Sequence, residues 1–351
     1  MTHTFHAGAF ITEAGDSIPD VTVAYQTWGS PEARRRAASG ENVVLVCHAL
    51  TGDADAAAWW PGLVGPGRII DPERHLVLCA NALGSCYGTT GPGTLDASGR
   101  RLGSRFPRIS VRDMARLHAR LLDHLGIGRV ALAAGGSMGG MQALELALET
   151  DAVDRLLLIG MGAEHAPWQI GISEAQRLSI RADRLWRGGD FAPEAPPEAG
   201  LAAARAMAMM LYRSPALYAE RFGRRPQASG AASDGAAPFQ VQSYLRYQGD
   251  KLAHRFDAGS YVALTHAMDS YDIARDRAPE ALEALTAEAL CVGISSDLLY
   301  PPEASCDLAA RLPHGLYAEL DSAFGHDAFL IDFEALDALV RPFLHDTGFL
   351  P

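Results

Sequence analysis

Lysine is almost missing from this chain: Lys251 is the only one in 351 residues, and arginine supplies the remaining positive charge. A GC-rich genome is the simplest cause of that bias. Positive charge as a whole is also short, with 30 Lys and Arg against 42 Asp and Glu and a formal net charge of -12. A nucleic-acid partner needs a basic face, so that class is set aside; a local basic pocket for an acidic cofactor remains compatible with the sum. Cysteine is sparse and odd in number, five, with no Cys-x-x-Cys spacing, which argues against zinc and redox sites; no metal is expected. Cys47, Cys79 and Cys291 fall inside apolar runs, where cysteine behaves as a small hydrophobe. No apolar run approaches the roughly 18 residues of a membrane span. Residues 1–10 lack the charged-then-apolar order of a signal peptide. These absences together predict a reduced, cytoplasmic protein with no membrane partner. What is present is ordinary: 48% hydrophobic and 21% charged residues, ample for a sizeable core in one large or two smaller domains.

The most informative stretch is Gly135-Gly136-Ser137-Met138-Gly139. A short apolar run, 129–134, precedes it, and 141–148, rich in helix formers, follows. Strand, tight glycine turn and helix is the context of the Gly-x-Ser-x-Gly nucleophile elbow of α/β-hydrolase folds. The turn forces the serine into a strained backbone, and glycines at both flanks remove the side chains that would clash. Ser137 would then stand at the start of a helix whose amides favour developing negative charge.

The rest of the chain reads as an α/β fold. Residues 4–28 suggest an antiparallel edge hairpin, and 31–40 a charged surface connection. Residues 42–47 and 75–80 are unbroken apolar runs, as expected for parallel strands buried on both faces. The loop 48–53 follows the first of them. His48 there is read as a loop histidine bonded to backbone. The aromatic loop 59–67 either walls the active site or seals a surface. Residues 81–93 are too rich in glycine and hydroxyls for core and read as a loop of the kind that lines ligand sites. Ser110 caps a helix running to about Leu125, with Met114, Leu117, Leu121, Leu122 and Leu125 on its packing face. Strands return at 155–160, 289–294 and 316–320. Between the first two of these only amphipathic helical stretches occur, at 173–185 and 202–212 among others, with a flexible Ser/Gly/Ala-rich loop at 228–238. The expected organisation is a core of residues 1–166 and 286–351, with a helical lid, 167–285, inserted between two of its strands.

An elbow serine needs a base, and the base an orienting carboxylate. In this fold class they follow in the order Ser, Asp or Glu, His. Asp297 follows a late apolar strand and His326 the final one, so both are expected at the sheet edge that carries Ser137. The backbone amides of Leu50, in the loop after the first buried strand, and Met138, after the nucleophile, are assigned to the oxyanion hole. Acyl transfer through an acyl-serine is the reaction class; whether water or another acceptor completes it, the triad does not say.

Longer motifs narrow this. The chain closely resembles the homoserine O-acetyltransferases of the α/β-hydrolase superfamily along nearly its whole length. The resemblance is carried by His48-Ala49-Leu50-Thr51-Gly52-Asp53, by Leu83-Gly84-Ser85-Cys86-Tyr87-Gly88-Thr89-Thr90-Gly91-Pro92, by the elbow, and by Tyr212-Arg213-Ser214-Pro215. Arg221-Phe222-Gly223-Arg224, residues 243–251 and Gly325-His326-Asp327-Ala328-Phe329-Leu330 add to it. It implies acetyl transfer from acetyl-CoA, as co-substrate with no permanently bound cofactor, to the hydroxyl of L-homoserine. The step belongs to methionine biosynthesis and would run by a ping-pong mechanism in a homodimer built through the lid. Ser137, Asp297 and His326 carry over as the triad. Arg213 carries over as ligand of the amino-acid carboxylate and Asp327 of its ammonium; a zwitterion needs one group of each sign. Relatives use succinyl-CoA or take serine as acceptor. Succinyl users need a further cation, for which Arg181, Arg184 and Arg187 are candidates, although solvated lid charges is the simpler reading. Serine succinyltransferases carry an asparagine before the nucleophile, where this chain has Gly136, which favours the acetyl reading. Leu146 stands where the acetyltransferases carry tryptophan. An esterase or thioesterase with the same triad is the alternative from another class; it has no need of Arg213 and Asp327.

Overall fold

The computed structural model describes residues 1–227 and 239–350, so the stretch 228–238 read above as a flexible loop lies outside the described residues. The chain opens with β1 (Thr2–Ile11) and β2 (Ser17–Trp28), an antiparallel hairpin at one sheet edge. β3 (Val43–Cys47), β4 (Leu76–Ala80), β5 (Leu132–Gly136), β6 (Arg155–Ile159), β7 (Glu288–Ile294) and β8 (Gly315–Leu320) complete an 8-stranded sheet ordered β1-β2-β4-β3-β5-β6-β7-β8. β2 runs antiparallel to β1 and β4, and every pairing from β4 through to β8 is parallel. Alternate residues of β3 serve opposite cores: Val43, Leu45 and Cys47 join one, Val44 and Val46 the other. A strand covered on both sides carries no polar alternation, hence the unbroken apolar runs.

The helices are α1 (Pro31–Arg36), α2 (Ala56–Trp59), α3 (Val111–His124) and α4 (Met138–Glu149). Between β6 and β7 come α5 (Pro167–Ala182), α6 (Glu198–Tyr212), α7 (Pro215–Phe222), α8 (Gln240–Ala253), α9 (Ala258–Asp269) and α10 (Pro279–Glu283). After β7 come α11 (Pro302–Arg311) and α12 (Phe333–Asp346). Ser110 caps α3 as expected: its hydroxyl accepts from the Asp113 N–H at 3.1 Å and the Asp113 carboxylate accepts from the Ser110 N–H at 3.0 Å, a reciprocal capping box.

The charged connection at 31–40 is built from α1 and a 3₁₀ turn, capped by Ser30 with Pro31 in the first turn, where proline's missing N–H costs nothing. Three sequence readings need correction. The loop 81–93 is largely buried. Its hydroxyls take the place of a strand, since Thr89 and Thr90 Oγ1 accept from the N–H groups of Ala24 and Thr22 beyond the end of β4; polar side chains are tolerated in a core when they satisfy backbone in this way. β5 extends through Gly136, because pairing of Gly135 with Cys47 and of Gly136 with Ile159 outweighs glycine's poor strand propensity. α5 begins six residues before the reading that starts it at Ser173, at Pro167, again a proline accepted at a helix start.

Candidate active site

Ser137 joins β5 to α4 with φ 56° and ψ -128°. A non-glycine residue in that region is strained by about 1–3 kcal/mol, and the surroundings hold it there. Its amide donates to Ile159 O at 2.8 Å. A Cβ on Gly135 would collide with the Gly139 backbone, and one on Gly139 with the Cys47 carbonyl. The turn is therefore pressed between its own helix and the end of β3, and larger residues at either flank would force it open. The Met138 N–H opens α4 and the Leu50 N–H lies in the loop after β3; neither has an acceptor among the described residues.

The other two chemical groups arrive from the far side of the helical insertion. Asp297 lies just after β7, where its Oδ1 accepts from the amides of Leu299 at 2.7 Å and Tyr300 at 2.9 Å. Its Oδ2 takes a hydrogen bond from His326 Nδ1 at 2.6 Å. A carboxylate with no proton to give makes Nδ1 the donor, which leaves the Nε2 lone pair free. The rings of Tyr300, Tyr212 and Phe329 stand 5.5, 5.6 and 5.7 Å from that of His326. Burial alone would lower the imidazole pKa; the charge and hydrogen bond of Asp297, with the charge of Asp327, outweigh it and raise the ring above the ordinary histidine value.

Ser137, Leu50 and His326 line one cavity of about 450 Å³, together with Asp327, Tyr87, Arg205, Tyr212, Arg255 and Phe329. Ser137 Oγ and His326 form no hydrogen bond in this geometry; such bonds are commonly long until substrate is bound. Asp327 faces the cavity and pairs with Arg213, Nη2 to Oδ2, at 3.1 Å. Arg213 itself is not among the lining residues and meets the site through Asp327. Burial pushes the Asp327 carboxyl above its usual range, and the guanidiniums of Arg213 and Arg205 pull it back only in part. His48 is fully buried and bonded to backbone on both nitrogens, Nδ1 to Ala49 O at 2.8 Å and Nε2 from the Ala82 N–H at 2.9 Å.

A family model for the α/β-hydrolase fold matches residues 42–333. The homoserine O-acetyltransferase of Chlorobium chlorochromatii (strain CaD3) is 48% identical over 340 residues, covering 96% of this chain and 93% of that one. The chain belongs to the homoserine O-acetyltransferase family of α/β-hydrolases. Solved structures agree on the fold: the homoserine O-acetyltransferase of Bacillus anthracis superposes with a TM-score of 0.87 at 24% identity, covering 98% of this chain and 97% of that one. Esterase E22 does so with a TM-score of 0.88 at 23% identity, covering 98% and 99%. At such identities the likeness speaks for the fold alone.

Within the homoserine O-acetyltransferase family frame, sequence reading missed two groups that line the cavity, Arg205 and Arg255; Tyr87 lines it as well, from the loop 81–93 read as the kind that borders ligand sites. Arg205 carried a signal, being the one charge in the run Leu201 to Tyr212 of α6; its guanidinium lies 5.3 Å from the Tyr212 ring centroid. Arg255 carried none, and its donation to Tyr87 Oη at 2.6 Å and Thr51 O at 2.9 Å joins segments far apart in the chain. Arg181, Arg184 and Arg187 do not line this cavity, and Arg181 pairs with Glu174.

Proposed function

We propose that this chain transfers an acetyl group from acetyl-CoA to the hydroxyl of L-homoserine through an acetyl-serine at Ser137. The observation that carries the reading is one cavity containing an elbow serine, an aspartate-held histidine and, at its wall, Asp327 with Arg213 ion-paired behind it, two opposite charges suited to a zwitterion. Ser137 Oγ attacks the thioester carbonyl and passes its proton to His326 Nε2. The amides of Leu50 and Met138 receive the oxyanion, and CoA leaves as its thiol with the proton from His326. Homoserine then exchanges the Arg213–Asp327 bond for two of its own, carboxylate to Arg213 and ammonium to Asp327. Its hydroxyl gives a proton to His326 and attacks the acetyl-serine; collapse returns that proton to Ser137 and releases O-acetylhomoserine. Arg205 and Arg255 have no carboxylate within ion-pair distance among the described residues, which suits the phosphates of an anionic carrier. Gly136 supports the acetyl reading further, since a Cβ there would press on the Phe329 ring and an asparagine would not fit unaided.

Residues 167–285 are proposed as a lid over this cavity, supported by Arg205, Tyr212 and Arg255 reaching it from that segment. A homodimer through the lid is supported by the exposed apolar side chains of Met210 and Tyr247 on α6 and α8; a monomer in light scattering at working concentration would refute it. No helix among the described residues is long and apolar enough to cross a membrane, and a biosynthetic role supports placement in the cytoplasm.

The test is CoA release from acetyl-CoA by purified protein. Release should be fast only when homoserine is present and absent in S137A with an unchanged melting temperature. Equal release with water alone would make the chain a hydrolase. Faster turnover with succinyl-CoA would reassign Arg205 to the acyl carboxylate.

A further inference from the structure

Gln142 lies one turn into α4 and is fully buried. Its Nε2 donates to Met138 O at 3.2 Å and to His48 O at 3.1 Å. Both partners are carbonyls, which only accept, so the amide's orientation is fixed by chemistry. Its Oε1 must then accept, and does so from His118 Nε2 at 3.0 Å. His118, on α3, is held neutral with its proton on Nε2, and burial pushes its pKa down to about 4.

The two carbonyls matter because of what stands next to them. Met138 carries one oxyanion amide on its own nitrogen. His48 precedes by two residues Leu50, which carries the other. Among the described residues no other side chain hydrogen-bonds both segments. The His48 ring is fixed in turn: Nε2 accepts from the Ala82 N–H, so Nδ1 holds the proton and binds Ala49 O. The loop is thus tied at residue 48 to the helix and at its ring to the segment after β4, which leaves Leu50 little freedom to swing. Donors of an oxyanion hole work because their positions are set before charge develops, and a misplacement of about 1 Å can cost about 10²-fold in rate.

We propose that Gln142 is a positioning residue that sets the spacing between the Leu50 and Met138 amides without touching the substrate. The proposal rests on the oxyanion assignment of those amides made above. Its consequence is specific. Both half-reactions pass through a tetrahedral oxyanion, so loosening the spacing slows acetylation and deacetylation alike and leaves ground-state binding alone.

The variant Q142M keeps an unbranched side chain of similar length and removes the two donations. The probe is p-nitrophenyl acetate, whose burst amplitude counts competent sites and whose burst rate reports acylation; deacylation is read on adding homoserine. With full amplitude, both rate constants should fall about 10²-fold while KM for acetyl-CoA stays within about twofold. Wild-type rate constants at full amplitude, or a loss confined to amplitude, would overturn the proposal, because the second is what mere structural damage produces. S137A run in parallel separates the two readings. If it shows no burst while Q142M behaves as wild type, only the positioning role fails; if it still bursts, the nucleophile assignment fails. Should Q142M not fold, H118F removes only the donor to Oε1. The same signature at roughly tenfold then supports the role, and wild-type rates at full amplitude overturn it.

Discussion

Replacing Asp297 with asparagine isolates the geometry on which the chemistry depends. Asp297 Oδ1 is occupied by the amides of Leu299 and Tyr300, at 2.7 and 2.9 Å. Both are donors, so in D297N the side-chain carbonyl must take that position and the NH2 must take the other. The NH2 then faces His326 Nδ1, where the carboxylate Oδ2 accepted at 2.6 Å. A donor there demands a lone pair on Nδ1 and moves the imidazole proton to Nε2. The nitrogen meant to receive the Ser137 proton already holds one. The wrong tautomer in a serine triad costs about 10⁴ in kcat, equivalent to about 5 kcal/mol of transition-state stabilisation. The turn keeps both amide acceptances, so the melting temperature should hold to within a few degrees. The assay is CoA release with homoserine saturating, read across pH. In the wild type the acid limb of kcat/KM should lie above the ordinary histidine value, because His326 must be neutral to act and its pKa is raised. In D297N the main opponents of burial are gone, so the limb of the residual activity should move to lower pH. Turnover within tenfold of wild type, or an acid limb that does not move, would refute the reasoning and leave Asp297 as a turn cap.

Other perturbations test neighbouring claims. G139A places a methyl against the Cys47 carbonyl, so denaturant unfolding should show a loss of about 1–3 kcal/mol together with reduced kcat; a variant equal to wild type in both would remove the close approach of α4 to β3 from the argument. D327N keeps the shape but not the charge that the acceptor's ammonium needs, so KM for homoserine should rise about 10- to 100-fold while the acetylation burst changes little; an unchanged KM would dissociate Asp327 from the acceptor. His75, His118 and His165 are held near a pKa of about 4, in each case chiefly by burial. Their folded values are depressed, so the stability they contribute is complete above the ordinary histidine value of about 6.5 and is lost as pH falls towards their folded values, at up to about 1.4 kcal/mol per pH unit for each. Urea midpoints should therefore drop between pH 6.5 and 5, and a flat profile there would contradict the buried neutral state.

How much of this was legible in the sequence depended on how far apart the cooperating residues lie. The elbow could be read because its constraints are local: Gly135, Ser137 and Gly139 sit in a few consecutive residues, and the clashes that forbid side chains there arise within the turn and its neighbouring strand. The buried strands were legible for a related reason, since covering both faces removes polar alternation from the run itself. Composition misled at 81–93, where glycine and hydroxyls read as excluded from the core while Thr89 and Thr90 were serving the backbone of β2 from the interior. The acceptor side was the least legible. By charge alone Arg213 reads as a solvated lid residue; the resemblance gave it a role as a carboxylate ligand, and only the structure pairs it with Asp327. Arg205 and Arg255 acquire meaning from the shape of the cavity they enter. The asymmetry has a consequence for this fold. A nucleophile, its base and its oxyanion amides serve water and an amino-acid hydroxyl equally well, so esterase and acyltransferase need not differ there. On the reading proposed above, what separates them lies at Arg205, which enters the cavity from the helical insertion, and at Asp327 with Arg213 paired behind it, and exchanging those side chains tests the difference more sharply than any change at the elbow.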